Sequence, residues 1–197
     1  MALVYAGLVA AADAATSAPK PDVARGKQIA TTVCAACHGP QGLSVAPANP
    51  HLAGQDAWYI ERQLEAFKSG KRPSPIMQGM AASLTPEDML NVGGYYAEQN
   101  PPQAAARDKA LAERGKKVWR SGVKATTVPA CAGCHGAAGR GVPAQYPGLA
   151  GQNPDLLYAW LKAFSTGERP HDVMGIVASK MTEADMKAVA EYASGLR

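Results

Sequence analysis

The chain has 197 residues and a formal net charge of +4, with 47% hydrophobic and 18% charged residues. This length suits one ordinary domain or two small ones, and the apolar content is sufficient for a packed core. No run of 18 or more apolar residues occurs, so the sequence predicts no membrane-spanning helix. The basic groups are few, and we expect no nucleic-acid partner.

The first 14 residues are similar to the remains of an export signal. Residues 3–12 form a short apolar stretch, and Ala12-Asp13-Ala14 fits the small-x-small pattern of a cleavage site. A positively charged start is missing, so a disordered Ala-rich tail or a start codon assigned too late is the alternative. We expect residues 1–14 to be a signal-peptide remnant on an exported protein.

Three helices are predicted next in the chain. The first runs from residue 22 to about residue 33, and the second from residue 56 or 58 to residue 68, because its apolar residues share one face. The third begins after Thr85, a good N-cap residue that is followed by Pro86 at the first helical position. No alternating strand pattern is found, so we predict an all-α protein.

The second half of the chain repeats the first. A shift of 97 residues places LAGQ at 52–55 on LAGQ at 149–152, and upstream the shift is 89, since RGK at 25–27 matches RGK at 114–116. A repeat of about 90 residues present twice indicates two similar domains, because a solenoid needs three or more shorter units. Pro101 and Pro102 end the preceding helix, so we predict domain 1 at 15–100 and domain 2 at 101–197.

Each predicted domain contains one CxxCH motif, and the two motifs hold all four cysteines. A zinc site would place its two cysteine pairs closer in sequence, and a thioredoxin-like redox pair would need a βαβ setting. Covalent attachment of haem c fits better, because the two thiols reach the haem vinyl groups and the adjacent His reaches the iron. We predict two covalently bound haem c groups. Their thioether cysteines are Cys34, Cys37, Cys131 and Cys134, and their axial histidines are His38 and His135.

A sixth iron ligand is expected from methionine, which raises the reduction potential of a haem. The repeat matches Met77 with Met174 in Pro/Gly-flanked segments, whereas Met89 and Met186 fall at apolar positions inside a helix. We predict Met77 and Met174 as axial ligands carried by loops, with Met80 as the alternative in domain 1.

A proline follows each motif histidine by 12 residues. A metal-bound His usually donates its other ring N–H to a carbonyl or carboxylate, and proline keeps its carbonyl. We predict that Pro50 accepts a hydrogen bond from Nδ1 of His38, and that Pro147 accepts one from Nδ1 of His135.

With these motifs the chain resembles the dihaem cytochromes c4, bacterial electron carriers built from two class I cytochrome c domains. The resemblance rests on CxxCHG twice, PxLAGQ twice, and the stretches at 67–72 and 164–169 that join a Phe, a Gly and an Arg. The helix and loop pattern predicts three to four helices around each haem, and the resemblance adds Arg72 and Arg169 as cofactor-binding residues. The resemblance also implies a periplasmic, membrane-peripheral protein that passes electrons from a quinol-oxidising complex or a copper protein toward a terminal oxidase.

Two other functions stay open as alternatives, a dihaem peroxidase-like enzyme and a haem-based gas sensor. Both need an iron with an open or weakly held sixth position, and a matched methionine in each domain argues against them. We therefore predict a carrier and not an enzyme.

Charge is unevenly distributed along the chain, with a net of −1 in residues 1–98 and +5 in residues 99–197. Four basic residues precede the second motif, and either they dock an acidic redox partner or they form a solvated face. This basic cluster consists of Lys116, Lys117, Arg120 and Lys124.

Overall fold

The computed structural model describes residues 19–197, so the predicted signal remnant at 1–14 lies outside the described residues. Ten α-helices are found in this part of the chain, and no strand is present there beyond two isolated bridges, so the predicted all-α class is confirmed. Domain 1 contains α1 (Val23–Ile29), α2 (Ala35–His38), α3 (Ala57–Lys68), α4 (Pro75–Ala81) and α5 (Pro86–Ala97); domain 2 contains α6 (Lys109–Ser121), α7 (Ala132–His135), α8 (Pro154–Thr166), α9 (Asp172–Ser179) and α10 (Glu183–Ser194).

Each domain packs its last long helix against its first and its middle helix. In domain 1, α5 contacts α1 and α3, and in domain 2, α10 contacts α6 and α8. The enclosed cores are apolar and separate: Ile29, Ile60, Phe67, Met89 and Val92 belong to one, and Val118, Leu157, Met186, Val189 and Ala190 belong to the other. Met89 and Met186 are therefore core residues, as the sequence predicts.

A glycine lies where the first and last helices of each domain cross. A Cβ atom on Gly26 would overlap the carbonyl oxygen of Asn91, and a Cβ atom on Gly115 would overlap the carbonyl oxygen of Ala188. Any larger residue would separate the helices, because packed interiors do not absorb an added methyl group without strain. The RGK repeat thus marks a close helix crossing in both domains.

The two cores place their large aromatic residue on different helices. In domain 1, Tyr96 on α5 and Ala30 after α1 are both 0% exposed. In domain 2, the positions are exchanged, since Trp119 on α6 is 1% exposed and Ala193 on α10 is 2% exposed. The repeat aligns Trp119 with Ala30 and Ala193 with Tyr96, so each core holds one large ring and one alanine.

The helix before the first motif is interrupted. The sequence predicts one helix over 22–33, but α1 ends at Ile29 and a π-helical stretch, Ala30–Cys34, connects it to α2. Such stretches occur mostly as single-turn insertions in α-helices, and they are frequent at functional sites. Among the described residues, no helix is both long and apolar enough to cross a membrane.

The methionine segments differ from the prediction of loops. Met77 lies in α4 and Met174 lies in α9, two short helices. Ser74 caps the first, accepting from the Met77 N–H at 3.4 Å, and Pro75 occupies its first position. His171 caps the second, where its Nδ1 accepts from the Met174 N–H at 3.2 Å. A helix holds each methionine in a fixed rotation about the helix axis, which a loop would not.

Candidate haem sites

Each CxxCH motif ends in a short helix and a glycine in the left-handed region. The N–H of Gly39 donates to the Ala35 carbonyl at 2.9 Å, and the N–H of Gly136 donates to the Ala132 carbonyl at 3.0 Å. Gly39 has φ +77°, and a Cβ there would overlap the Leu43 carbonyl oxygen. The chain therefore reverses directly after the histidine, because only glycine adopts this conformation at no steric cost.

Both motif histidines are oriented by a proline carbonyl. Nδ1 of His38 lies 2.9 Å from the Pro50 carbonyl oxygen, and Nδ1 of His135 lies 3.0 Å from that of Pro147, as predicted. With Nδ1 donating, Nε2 carries the lone pair that a metal requires. Each histidine is 8% exposed, and this burial lowers its pKa, although the proline hydrogen bond opposes the shift. A buried neutral imidazole fits an axial ligand.

None of the four cysteines forms a disulfide. Cys34 packs against the core of domain 1 and Cys131 against that of domain 2. Burial raises the pKa of the Cys34 thiol and raises the pKa of Cys131 to about 11. Within residues 19–197 no group of three or more His, Cys, Asp or Glu side chains is placed to hold a metal ion. The motif geometry fits thioether attachment of a haem.

The structure distinguishes the two candidate methionines of domain 1. Met77 is partly buried against the domain 1 core, whereas Met80 is 39% exposed. In domain 2, Met174 is also partly buried. Met77 and Met174 occupy equivalent places in α4 and α9, so their role as axial ligands stays the preferred prediction over Met80.

One buried polar atom in each core lies beside the motif without a nitrogen or oxygen partner in the described part of the chain. In domain 1 this atom is the hydroxyl of Tyr96, whose polar neighbour is the Cys34 thiol. In domain 2 it is Nε1 of Trp119, whose ring centroid lies 6.3 Å from that of His135. Buried donors are normally paired, so these two fit a bound group that supplies acceptors.

Two arginines meet at the boundary between the domains without a carboxylate partner among residues 19–197. The guanidinium of Arg72 lies 4.4 Å from the Phe67 ring centroid, and that of Arg169 lies 4.5 Å from the Phe164 ring centroid. The ring centroid of Trp160 lies 5.6 Å from the guanidinium of Arg72 and 4.9 Å from that of Arg169. Burial and then the neighbouring charge of Arg169 lower the pKa of Arg72 to about 9. Two adjacent cations that lack an acidic partner fit haem propionates.

Sequence reasoning missed several residues at this boundary. Nothing in the repeat alone indicates that Trp160 lies between the two arginines, or that Gln55 and Gln152 bond to the opposite domain. His51 also lies at this boundary, where its Nδ1 accepts from the Ser44 N–H at 3.0 Å and its backbone N–H donates to Gln152. The signal that could have found the glutamines is their place in LAGQ, which is common to both copies.

Comparison with known proteins agrees with this geometry. The sequence profile of the cytochrome c family matches residues 23–101 and again residues 112–196. The thiosulfate dehydrogenase electron acceptor of Stutzerimonas stutzeri (strain A1501) is 41% identical over 173 residues, covering 85% of this chain and 80% of that protein. Cytochrome c4 of Thiocapsa roseopersicina is 39% identical over 180 residues, covering 89% of this chain and 93% of that protein.

A solved structure matches the arrangement of both domains. The crystal structure of reduced recombinant cytochrome c4 from Pseudomonas stutzeri superimposes with a TM-score of 0.85 at 34% identity, covering 90% of this chain and 100% of that chain. The two ranges matched by the cytochrome c family each contain one CxxCH motif. The chain therefore belongs to the cytochrome c family, as a dihaem electron carrier of the cytochrome c4 type with two covalently bound haem c groups.

Proposed function

We propose that the protein is a periplasmic electron shuttle that performs no chemistry on a substrate. The observation that carries this proposal is the repeated pair of proline-oriented histidines, at 2.9 and 3.0 Å, each in a domain that also offers a partly buried methionine. When bound, haem c supplies one-electron exchange between ferric and ferrous iron. Two protein ligands on each iron would leave no position for peroxide or a gas.

The places of these residues in the two domains support the following proposed roles. His38 and His135 would provide one axial nitrogen each, and Met77 and Met174 would provide one axial sulfur each. Cys34 and Cys37 would hold the first haem as thioethers, while Cys131 and Cys134 would hold the second. Pro50 and Pro147 would orient the histidines, and Arg72 and Arg169 would neutralise propionates at the domain boundary.

The partners are redox proteins, and similarity suggests one class of donor. A thiosulfate dehydrogenase is one candidate, because the relative that is 41% identical is named as the electron acceptor of such an enzyme. A quinol-oxidising complex or a copper protein is the other candidate, with a terminal oxidase as the acceptor. Peripheral attachment to the membrane would bring the protein close to such an oxidase.

Exposed apolar residues beside the methionines provide contact surfaces for these partners. Ile76, next to Met77, is 75% exposed, and Val173, next to Met174, is 48% exposed. An apolar contact beside the iron ligand excludes water without fixing a long-lived complex, which suits transient electron transfer. Each domain would thus present its own docking face.

The basic cluster would attract an acidic partner to domain 2. Lys117, Arg120 and Lys124 are exposed and form no ion pair within residues 19–197, whereas Lys116 lies 3.7 Å from Glu113. The attraction acts at long range and weakens with salt, because the Debye length is about 8 Å at physiological ionic strength. Lys117, Arg120 and Lys124 therefore carry most of this attraction.

Stopped-flow kinetics with purified partners tests the proposal. The oxidised holoprotein is mixed with a thiosulfate dehydrogenase and thiosulfate, or with a quinol-oxidising complex and quinol, and then with a terminal oxidase. We expect both haems to be reduced by one donor and reoxidised by the oxidase. Sustained consumption of hydrogen peroxide by the protein itself, with neither haem passing electrons to the oxidase, would contradict it.

A further inference from the structure

One glutamine from each domain reaches into the other domain, and both make the same pattern of hydrogen bonds. Nε2 of Gln152 donates to the His51 carbonyl at 3.1 Å, and its Oε1 accepts from the His51 N–H at 3.0 Å. Nε2 of Gln55 donates to the Gly148 carbonyl at 3.0 Å, and its Oε1 accepts from the Gly148 N–H at 3.0 Å. The 97-residue shift relates Gln55 to Gln152 and His51 to Gly148, so the two domains exchange equivalent contacts.

Each side-chain amide makes three hydrogen bonds. Oε1 of Gln152 also accepts from the N–H of Asn153 at 3.1 Å, and Oε1 of Gln55 accepts from the N–H of Asp56 at 3.2 Å. Gln152 is 6% exposed. Gln55 is partly buried, and each amide makes one donor bond and two acceptor bonds, so another arrangement of either amide would break several hydrogen bonds at once.

Each glutamine bonds to the peptide group that orients the other domain's histidine. The carbonyl of Pro50 and the N–H of His51 belong to one planar peptide unit. Its oxygen lies 2.9 Å from Nδ1 of His38, and its N–H donates to Oε1 of Gln152. The unit formed by Pro147 and Gly148 connects His135 to Gln55 in the same way.

We propose that Gln55 and Gln152 are positioning residues that set the reduction potential of the haem in the opposite domain. Gln152 in domain 2 acts on the haem at His38, and Gln55 in domain 1 acts on the haem at His135. An acceptor on the N–H polarises the peptide, so its carbonyl becomes a better acceptor for the histidine. The inference rests on the proposed role of His38 and His135 as axial ligands.

The direction of the effect follows from ligand basicity. A stronger Nδ1–H···O bond makes the imidazole a more basic ligand. A more basic ligand favours ferric over ferrous iron and lowers the potential. Loss of the glutamine lets the peptide unit rotate and removes its polarisation, so the potential of the opposite haem rises.

Gln152→Leu and Gln55→Leu in the holoprotein test the proposal. The potential of each haem is followed by NMR during a redox titration. The haem methyl signals are assigned to one haem or the other through the cysteines to which that haem is attached. We expect Gln152→Leu to shift the ferric–ferrous equilibrium of the Cys34-bound haem at least threefold, or about 30 mV for one electron. Gln55→Leu shifts the Cys131-bound haem instead.

Gln99→Leu is the matched control. Its Nε2 donates to the Tyr95 carbonyl at 2.9 Å within domain 1, and it contacts neither peptide unit. We expect both potentials to stay unchanged in this variant. Two covalent haems per chain in every variant separate a failure of this inference from a failure of the proposed function.

A contact with only a structural role would not shift the potential of the haem in the opposite domain selectively. A shift in the haem of the glutamine's own domain, equal shifts in both haems, or no shift in either would overturn the proposal. If a variant does not fold, amide hydrogen exchange in the wild-type protein tests whether the glutamines hold the two peptide units. We expect slow exchange of the His51 and Gly148 amides, and exchange at the rate of solvent-exposed amides would overturn the proposal equally.

Discussion

Replacing Met77 with alanine should open one iron and leave the other intact. The two domains each offer one equivalent methionine, so Met77→Ala should remove half of the weak near-infrared absorption that marks methionine-to-iron bonding. Met77 is only partly buried, and we expect the truncation to cost about 1–2 kcal/mol in stability, below the range for fully buried methionines. The potential of the affected haem should fall, because methionine ligation raises it.

Met80→Ala is the matched control for this experiment. Met80 lies in the same helix, three residues further on, and is 39% exposed. We expect the near-infrared absorption and both potentials to stay as in the wild-type protein. If Met80→Ala halves the absorption while Met77→Ala leaves it unchanged, the ligand assigned from the repeat is wrong.

Three further predictions concern stability and docking. Gly115→Ala should destabilise domain 2 by about 2 kcal/mol in thermal unfolding, because its Cβ overlaps the Ala188 carbonyl, and an unchanged midpoint would refute the close crossing. Arg114→Ala should cost about 2 kcal/mol at neutral pH, because it removes the 2.8 Å partner of an Asp185 side chain that is 8% exposed. Burial alone would raise the pKa of Asp185, but hydrogen bonds from Thr182 and Arg114 outweigh it and lower the pKa. The stabilisation by the Arg114–Asp185 pair is therefore present above about pH 4 and is lost as the pH falls further. A loss of stability in Arg114→Ala that is equal at about pH 3 and pH 7 would contradict this. Reversing the charges of Lys117, Arg120 and Lys124 should slow association with an acidic partner at low salt and not at high salt, and stopped-flow rates without salt dependence would show that the cluster is only a solvated face.

The parts of the site that depend on local sequence could be predicted. The 12-residue spacing from His38 to Pro50 recurs at His135 and Pro147, so the repeat itself indicated a shared partner for the ring, and the structure confirms both bonds. The N-cap at Thr85 and the start of α5 at Pro86 also match, because capping is decided by neighbouring residues.

The two helices that carry the methionines were not predicted: the first has a sequence signal that was overlooked, and the second has none. Ser74 followed by Pro75 is an N-cap and first-position pair that indicates a helix start, and it should have predicted α4. His171 is an unusual N-cap residue, so α9 had no comparable signal. Helices this short depend on packing more than on propensity.

The contacts between the domains could not be predicted from one sequence. The bonds of Gln152 to His51 and of Gln55 to Gly148 span 101 and 93 residues. Neither hydrophobic periodicity nor capping specifies how two separate cores are placed against each other. The same holds for Trp160, which lies near Arg72 and Arg169 only because the domains are packed together.

Carbon monoxide binding to the reduced wild-type protein at neutral pH is the most direct test of an electron carrier with two six-coordinate haems. Ferrous haem binds carbon monoxide only where its sixth position is free or weakly held. We expect no change in the absorption spectrum of the reduced holoprotein when the gas is added. Binding of one carbon monoxide per chain would show an open iron and would favour a peroxidase-like enzyme or a gas sensor.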